Sequence, residues 1–356
     1  MQPANKSTEE EETDCNAVAV MIRHLYCTAG AGMEELLAEE VQHKLCATQV
    51  EQIPGRVFFC SNADLQTVTQ LKSAERLFIL LRKAEPISLP NNPGVNDREF
   101  TSVNLRSNAV CVFFRHPLSS RSYMKHNGLR STIAWAMSSL CPKKLNDCVI
   151  LDPMCGVGAV LLEAAQEYSN AVFLGMDTDL SQLQKAAENV KASGMEGKVQ
   201  LLQSSAMEIP LADGAVDAVL CDVPFGRKFS CSSDMPTALP RLLREMERVL
   251  CVGGHLVLLL SLQLSAQLKK TICTHEHNQN VNSLDTNNLD TDPSNTHNES
   301  TDTPKPLMFY KSSSEMSNSP LLINSLQAQR THRVSLGSTD AFIHTYTKIK
   351  TQTLSL

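Results

Sequence analysis

Between residues 128 and 261 the sequence alternates short apolar runs with longer stretches in which apolar residues recur every three or four positions. The strand-like runs are CVILDP, AVFLGMD, VQLLQSS, AVDAVLCD and HLVLLLS; the helical stretches between and before them are RSTIAWAMSSL, GAVLLEAAQEY, SQLQKAAENVKAS and TALPRLLREMERVL. Strands that alternate with helices run parallel, because the crossover that returns the chain to its starting edge takes a dozen or more residues. The expected fold is therefore α/β, with a mostly parallel sheet covered by helices. The ending THRVSLGSTDAFIHTYTKIK adds two strands with Gly337 between them, placed for an antiparallel hairpin that completes the sheet.

The rest of the chain falls into smaller zones. Residues 1–20 form a polar, acidic tail expected to be disordered. Residues 21–86 read as a small α+β unit: strand RHLYCTA, helix MEELLAEEVQHKL, strand GRVFFC, helix ADLQTVTQLKSAERLF and strand ILLRKAE. A Pro/Asn/Gly linker covers 87–105, and NAVCVFFRHPLSS is a further strand at the start of a catalytic unit spanning 106–271. Residues 272–328 are so rich in Asn, Thr, Ser and Asp that a disordered insertion is expected, and 329–356 carry the closing strands. At 356 residues and 42% hydrophobic, the chain has enough core for one large and one small domain.

Charge and cysteine usage limit the partners. The net charge is −6, so a grip on nucleic acid must come from a local patch or a second subunit. Arg115, His116, Arg121, Lys125, His126 and Arg130 make one such cluster, able to meet phosphates or simply to face solvent. The twelve cysteines include no CxxC pair and sit mostly in apolar runs, as Cys60, Cys111, Cys221 and Cys251 do, which suits buried reduced thiols better than disulfides or a metal. The polar start MQPANKSTEEEETD lacks the features of a signal or transit segment, and HLVLLLSLQL is too short to span a bilayer. Nucleus or cytoplasm is the expected location, the nucleus favoured.

The chemistry gathers at the ends of three strands. VILDPMCGVGAVLLEAA runs from an apolar strand into Asp152, a glycine-bearing loop with Gly156 and Gly158, and a helix. Ligands of open parallel sheets sit beyond the carboxyl ends of the strands, where glycines let backbone amides approach them. Asp177 ends the next strand, placed to accept the ribose hydroxyls of a nucleoside cofactor. A dinucleotide dehydrogenase would want a third glycine where Leu161 stands, and Asp152 would repel a pyrophosphate; it suits the cationic S-adenosylmethionine better. In CDVPFGRKF, Asp222 can accept a hydrogen bond from an exocyclic amine, Pro224 fixes the backbone carbonyls as further acceptors, and Phe225 offers a stacking face. Acid, x, proline, aromatic at a strand tip is a device for presenting a planar amine.

In these motifs, GLRSTIAWAMSSL, LDPMCGVGAVLLEAA, GMDTD, CDVPFGRKF and LREMERVLCVGGHLVLLLS, the chain resembles the THUMP-domain RNA methyltransferases; YCTAGAGMEELLAEEV, LKSAERLFILLRK and VSLGSTDAFI extend the likeness to both ends. The resemblance implies a Rossmann-like class I S-adenosylmethionine-dependent methyltransferase with a mostly parallel seven-stranded sheet and a ferredoxin-like α+β domain before it. It implies N(2)-methylation of guanosine in a structured RNA, and for the branch most resembled a spliceosomal small nuclear RNA rather than tRNA. That branch works as a heterodimer with a small zinc-binding methyltransferase activator subunit. Carried over residue by residue, Asp152, Met154, Cys155, Gly156 and Gly158 form the cofactor loop, Asp177 the ribose ligand, and Ser131 and Thr132 the contact to the methionyl end. Asp222, Pro224 and Phe225 are the catalytic residues, with Val223 where many amine methyltransferases have a second proline. After VQLLQSS many relatives carry an acid for adenine; here Ser204, Ser205 and Ala206 follow, leaving backbone groups and Met207 for that task. Residues 86–105 are short where the family carries most of its THUMP domain. Two other readings stay open: a form that binds cofactor and partner without turnover, and a protein glutamine N-methyltransferase, whose amide the same device would serve.

Overall fold

The computed structural model describes residues 22–81, 109–114 (backbone only), 123–141, 147–224, 235–272, 323–337 and 339–350. The acidic tail, the linker, most of the polar insertion, Phe225, Arg115, His116 and Arg121 lie outside the described residues.

The amino-terminal unit runs β1 (Arg23–Thr28), α1 (Glu34–Leu45), β2 (Thr48–Ile53), β3 (Arg56–Ser61), α2 (Leu65–Val68), β4 (Arg76–Leu80) and β5 (Ala109–Phe114). Its sheet has the order β2-β3-β1-β4-β5 with every pair antiparallel. The first four strands and two helices have the split-βαβ order of a ferredoxin-like unit. Leu25, Cys27, Val57, Phe59 and Leu77 alternate onto the face that packs against Leu37 and Val41 of α1.

Three elements differ from the sequence reading. The helix expected over ADLQTVTQLKSAERLF lasts a single turn, and its last residues belong to β4. The cause is Glu40 on α1, whose buried carboxylate accepts the amides of Lys72 and Ser73 and the Ser73 hydroxyl, holding the chain in a turn there; the Glu75 amide then joins Thr28 O at 2.9 Å. A tertiary contact overrides local propensity. β2 was not read from the sequence. β5 pairs with β4 and so extends the small sheet, not the catalytic one.

The larger unit runs α3 (Ser131–Ser139), β6 (Val149–Asp152), α4 (Ala159–Glu167), β7 (Val172–Asp177), α5 (Leu180–Ala192), β8 (Val199–Gln203), β9 (Val216–Asp222), α6 (Met235–Val249), β10 (Leu250–Ser261), α7 (Leu262–Thr271), β11 (Leu326–Ser335) and β12 (Asp340–Lys348). The seven strands lie in the order β11-β12-β10-β9-β6-β7-β8. β8, β7, β6, β9 and β10 are parallel, and β12 is antiparallel to both β10 and β11. The expected closing hairpin is present, its first strand starting at Leu326, a few residues earlier than the sequence zone. α7 was hidden in the apolar text after β10: Ser261 ends that strand and its hydroxyl caps the helix by accepting the Leu264 amide. No described helix is long and apolar enough to cross a membrane.

Both faces of the large sheet are covered, which explains the near-continuous apolar runs of β6, β9 and β10. Ile150, Phe173, Ala218 and Leu220 pack under α3 and α4; Leu151, Met176, Val219 and Leu258 pack under α6 and α7. α3 is buried from Ser131 to Ser138, wedged between the large sheet and the small unit, whose Met33 and Leu36 enter the same core. Cys60 and Cys221 are buried thiols as expected, whereas Cys251 is half-exposed.

Candidate functional site

The chain lays down β6, β7 and β8 on one side, then returns to place β9 on the other side of β6. At this reversal the carboxyl ends of β6, β7 and β9 open a crevice. Asp152 is level with Gly175 on β7, and Leu151 with Val219 on β9. Asp177 and Asp222 thus stand two residues further out on the strands flanking Asp152, roughly 6–7 Å along the strand direction. Since facing alternates with a period of two, all three carboxylates emerge on one face of the sheet, the face under α3 and α4. The rim read from the sequence exists as a geometric fact.

The three acids differ in environment. Asp152 is buried, and one of its oxygens accepts the Met154 amide at 3.1 Å. Burial pushes its carboxyl well above the ordinary range, with the charges of Asp222 and Asp177 adding to the effect. It therefore builds the loop from within, while Asp177 and Asp222 are the carboxylates solvent reaches. Asp222, half-buried, is pushed up to about 7 by desolvation. Asp177 accepts the Gly156 amide at 2.9 Å through Oδ2 and the Asp179 amide at 2.9 Å through Oδ1. Among the described residues, none of the three is paired with a cationic side chain.

The loop between β6 and α4 is held by its backbone. Cys155 N donates to Met176 O at 2.8 Å, and Gly158 N to Cys155 O at 2.8 Å. Gly156 (φ 53°) and Gly158 (φ 81°) adopt the left-handed conformation that other residues reach only with strain. A Cβ on Gly156 would meet nothing within 4 Å, so the loop leaves space where a ligand can approach its backbone. Met154 is half-buried and Cys155 buried, its thiol pushed up by desolvation. Across the crevice Ser204 N donates to Asp177 O at 3.1 Å, which brings Ser205 and Ala206 beside the β7 end; Ser205 Oγ accepts the Met207 amide, and Ala206 is buried. Val223 is buried with its amide on Leu259 O at 3.2 Å, and Pro224 follows, half-buried, at the rim.

Segment 123–131 packs against the glycine loop and the start of α4. Its fastener is Asn189 of α5, which sequence reading missed. The fully buried amide accepts Lys125 N at 2.7 Å and His126 N at 2.9 Å, and donates to His126 O at 3.2 Å and to Val157 O at 2.9 Å in the glycine loop. Asn189→Ala leaves those two amides and two carbonyls without their partner, at a cost of about 2–3 kcal/mol. The expected result is a Tm lower by roughly 5–10 °C in thermal unfolding; an unchanged Tm would mean the fastener is dispensable. Of the basic cluster, Lys125 and Arg130 are exposed, and His126 Nε2 lies 3.0 Å from Glu188. Ser131 and Thr132 form the first turn of α3; Ser131 Oγ is buried without a hydrogen-bond partner.

These features fit a bound S-adenosylmethionine. Its cationic groups answer the two carboxylates that border the crevice, Asp177 and Asp222, the space over Gly156 admits it, and a helix start whose hydroxyl has no partner among the described residues suits a carboxylate end.

Comparison with known proteins agrees. Residues 119–287 match the RMKL-like methyltransferase domain family. A Bos taurus U6 snRNA (guanine-N(2))-methyltransferase, THUMPD2, is 30% identical over an alignment of 394 positions, covering 66% of this chain and 78% of the relative. The Homo sapiens protein of that name is 28% identical over an alignment of 500 positions, covering 91% and 95% respectively. That alignment is longer than the 356-residue chain, so the human relative has segments without a counterpart here. Among solved structures, TrmN from Thermus thermophilus superposes with a TM-score of 0.62 at 18% identity, covering 92% of this chain and all of that one, a likeness of fold.

Proposed function

Since the chain belongs to the family of RNA guanine-N2 methyltransferases that includes the THUMPD2 proteins, we propose that Asp222 and the backbone around Pro224 present the amine of a guanine in a small nuclear RNA for methylation. The coarser activity, S-adenosylmethionine-dependent methylation of guanine N2 in RNA, follows from the family itself. The bound cofactor supplies an electrophilic methyl group.

The observation that carries this reading is the common face of Asp152, Asp177 and Asp222. Asp177 and the Gly156 amide form the ribose side of the crevice, and Ser205 and Ala206 the base side. Ser131 and Thr132, at the start of α3, form the methionyl side. Asp222, beyond Asp152 on the opposite flank, faces the same space. An exocyclic guanine amine is a weak nucleophile because its lone pair is delocalised into the ring. A hydrogen bond to the Asp222 carboxylate, with another to a rim carbonyl, draws that lone pair out of conjugation, and Phe225 follows in the chain as the stacking surface. Holding the amine in line contributes through orientation, for which effective molarities correspond to about 7–11 kcal/mol of barrier.

Three finer statements belong to the same proposal. The RNA is a small nuclear RNA, as it is in the names of the two relatives; Lys125 and Arg130, with Arg115 and Arg121 near them in sequence, meet its phosphates. A small zinc-binding activator subunit completes the enzyme, in keeping with a net charge of −6 that offers RNA little general attraction. Work on such an RNA places the protein in the nucleus.

The test is transfer of labelled methyl groups from S-adenosylmethionine to U6 small nuclear RNA, tRNA and a protein extract, with and without the activator, followed by nucleoside mass spectrometry. N(2)-methylguanosine in the small nuclear RNA, increased by the activator, is the expected product. Label in protein alone would put a glutamine side chain in the guanine's place, and cofactor binding without any transfer would identify a regulatory form.

A further inference from the structure

A side-chain hydrogen bond links the small amino-terminal unit to the start of α3. Thr132 Oγ1, in the first turn of α3, donates to Glu75 Oε1 at 3.1 Å. Thr132 is buried and Glu75 half-buried. Glu75 is itself fixed, since it precedes β4 and its amide is bonded to Thr28 O of β1. The contact thus runs from the small sheet into the first turn of α3, directly after the segment packed on the glycine loop.

The surroundings make this link rigid. Gly32 comes so close to β11 that a Cβ there would lie 1.8 Å from Arg333 O, and Ser335 N donates to Ala31 O at 3.1 Å. Lys72 and Lys44 bond Gln166 and Glu167 at the end of α4. Within α3, the Ile133 and Ala134 amides both go to Arg130 O, so the Ser131 and Thr132 amides at the very start have no place in the helix ladder. The neighbouring Ser131 hydroxyl is buried with no hydrogen-bond partner among the described residues. A helix start with free amides and an orphaned hydroxyl is an anion site, and the side chain that sets the rotamer of its second residue comes from the other unit.

We propose that Glu75 is a positioning residue for the cofactor: by holding Thr132 from the small antiparallel unit, it orients the first turn of α3 toward the methionyl carboxylate, so cofactor affinity depends on the docking of that unit. This rests on the reading that Ser131 and Thr132 border the methionyl end. The small unit is then part of the cofactor site as well as a neighbour of the RNA, and by linkage cofactor binding strengthens its docking.

The experiment is calorimetric titration of the full-length chain with S-adenosylhomocysteine, together with steady-state kinetics in S-adenosylmethionine. Glu75→Ala is expected to weaken binding about tenfold and to raise KM for the cofactor similarly, with kcat at saturation within about twofold. Glu75→Gln, which keeps the acceptor oxygen, is expected to bind within about twofold of the parent. Thr132→Val, of similar size but without the donor, should repeat the Glu75→Ala result and serves if that variant does not fold. Hydrogen exchange at the Glu75 amide should slow when the ligand is added to the parent chain but not to Glu75→Ala. A merely structural contact would lower Tm without separating KM from kcat, and that outcome overturns the proposal. So does equal weakening by Glu75→Ala and Glu75→Gln, which would make charge the agent. Unchanged binding in Glu75→Ala with weakened binding in Ser131→Ala also overturns it while sparing the reading of the α3 start; unchanged binding in both variants removes that reading too.

Discussion

Asp222→Asn is expected to lower methyl transfer to RNA by about 10²–10³-fold, the usual loss when a preorganised polar group aimed at developing charge is removed, and at the same time to make the protein more stable. The two effects share one cause. Desolvation pushes the Asp222 carboxyl from 3.8 up to about 7, so near neutrality the fold is holding a charge it would rather lose. A carboxyl whose folded value lies above its unfolded value stabilises the fold below the unfolded value, and that contribution is lost as pH rises through the folded one. For Asp222 the window runs from 3.8 to about 7. The side chain is half-buried and borders the open crevice, so solvent screening reduces the gain from neutralising it to about 1–2 kcal/mol. Asparagine mimics the neutral acid. Its Tm should therefore match the parent near pH 4 and exceed it by a few degrees at pH 8.

The same group sets the pH dependence of turnover. If, as proposed, the ionised carboxylate accepts the amine, kcat/KM, which reports the free enzyme, is expected to rise through about pH 7 and then level off. A positively charged cofactor beside Asp222 favours ionisation, so the rising limb of kcat should lie at lower pH than that of kcat/KM. Asp222→Asn should remove the limb. A variant with near-normal rates and an unaltered profile would show that the amine is positioned by something else.

How much of this was readable in the sequence depends on the range of the interaction. The large sheet and its acids were legible because a strand buried on both faces writes a continuous apolar run, and a residue at its tip is where that run stops; Asp152, Asp177 and Asp222 each mark such an end. Gly156 and Gly158 were legible because the left-handed conformation selects their residue type. The short α2 was not, since nothing local in ADLQTVTQLKSAERLF shows that Glu40, more than thirty positions earlier, will take the Lys72 and Ser73 amides. Asn189 was hidden on a helix whose amphipathic pattern is satisfied without it; its partners, Lys125, His126 and Val157, come from two loops that only the fold brings together. Glu75 was read as helical interior and proves to be one of the contacts that join the two units. Apolar periodicity predicts which surface is covered, while a single buried polar contact fixes where a loop crosses it and leaves no period behind.

Asp177→Ala is expected to act on the other half of the reaction, weakening cofactor binding by about 10²–10³-fold while leaving Asp222 and the amine side intact. A carboxylate has about four lone-pair positions. The Gly156 and Asp179 amides occupy two of them, at 2.9 Å each, which leaves two that, on the proposed reading, take the ribose hydroxyls. Asp177 joins the glycine loop to the start of α5 and, on the proposed reading, both to the sugar, so truncating it should remove the ribose contacts together with the anchor of the left-handed Gly156. Asparagine is no substitute. Its single oxygen can serve only one of the two amides, and its NH₂ group then points at the other N–H, so Asp177→Asn should bind the cofactor at least about tenfold less well than the parent. Calorimetry with S-adenosylhomocysteine separates this from the Asp222 effect: Asp222→Asn should change kcat with little change in Kd, and Asp177→Ala should change Kd. If Asp177→Ala kept its affinity and lost turnover at saturating cofactor, the assignment of β7 to the donor and β9 to the acceptor would have to be reversed.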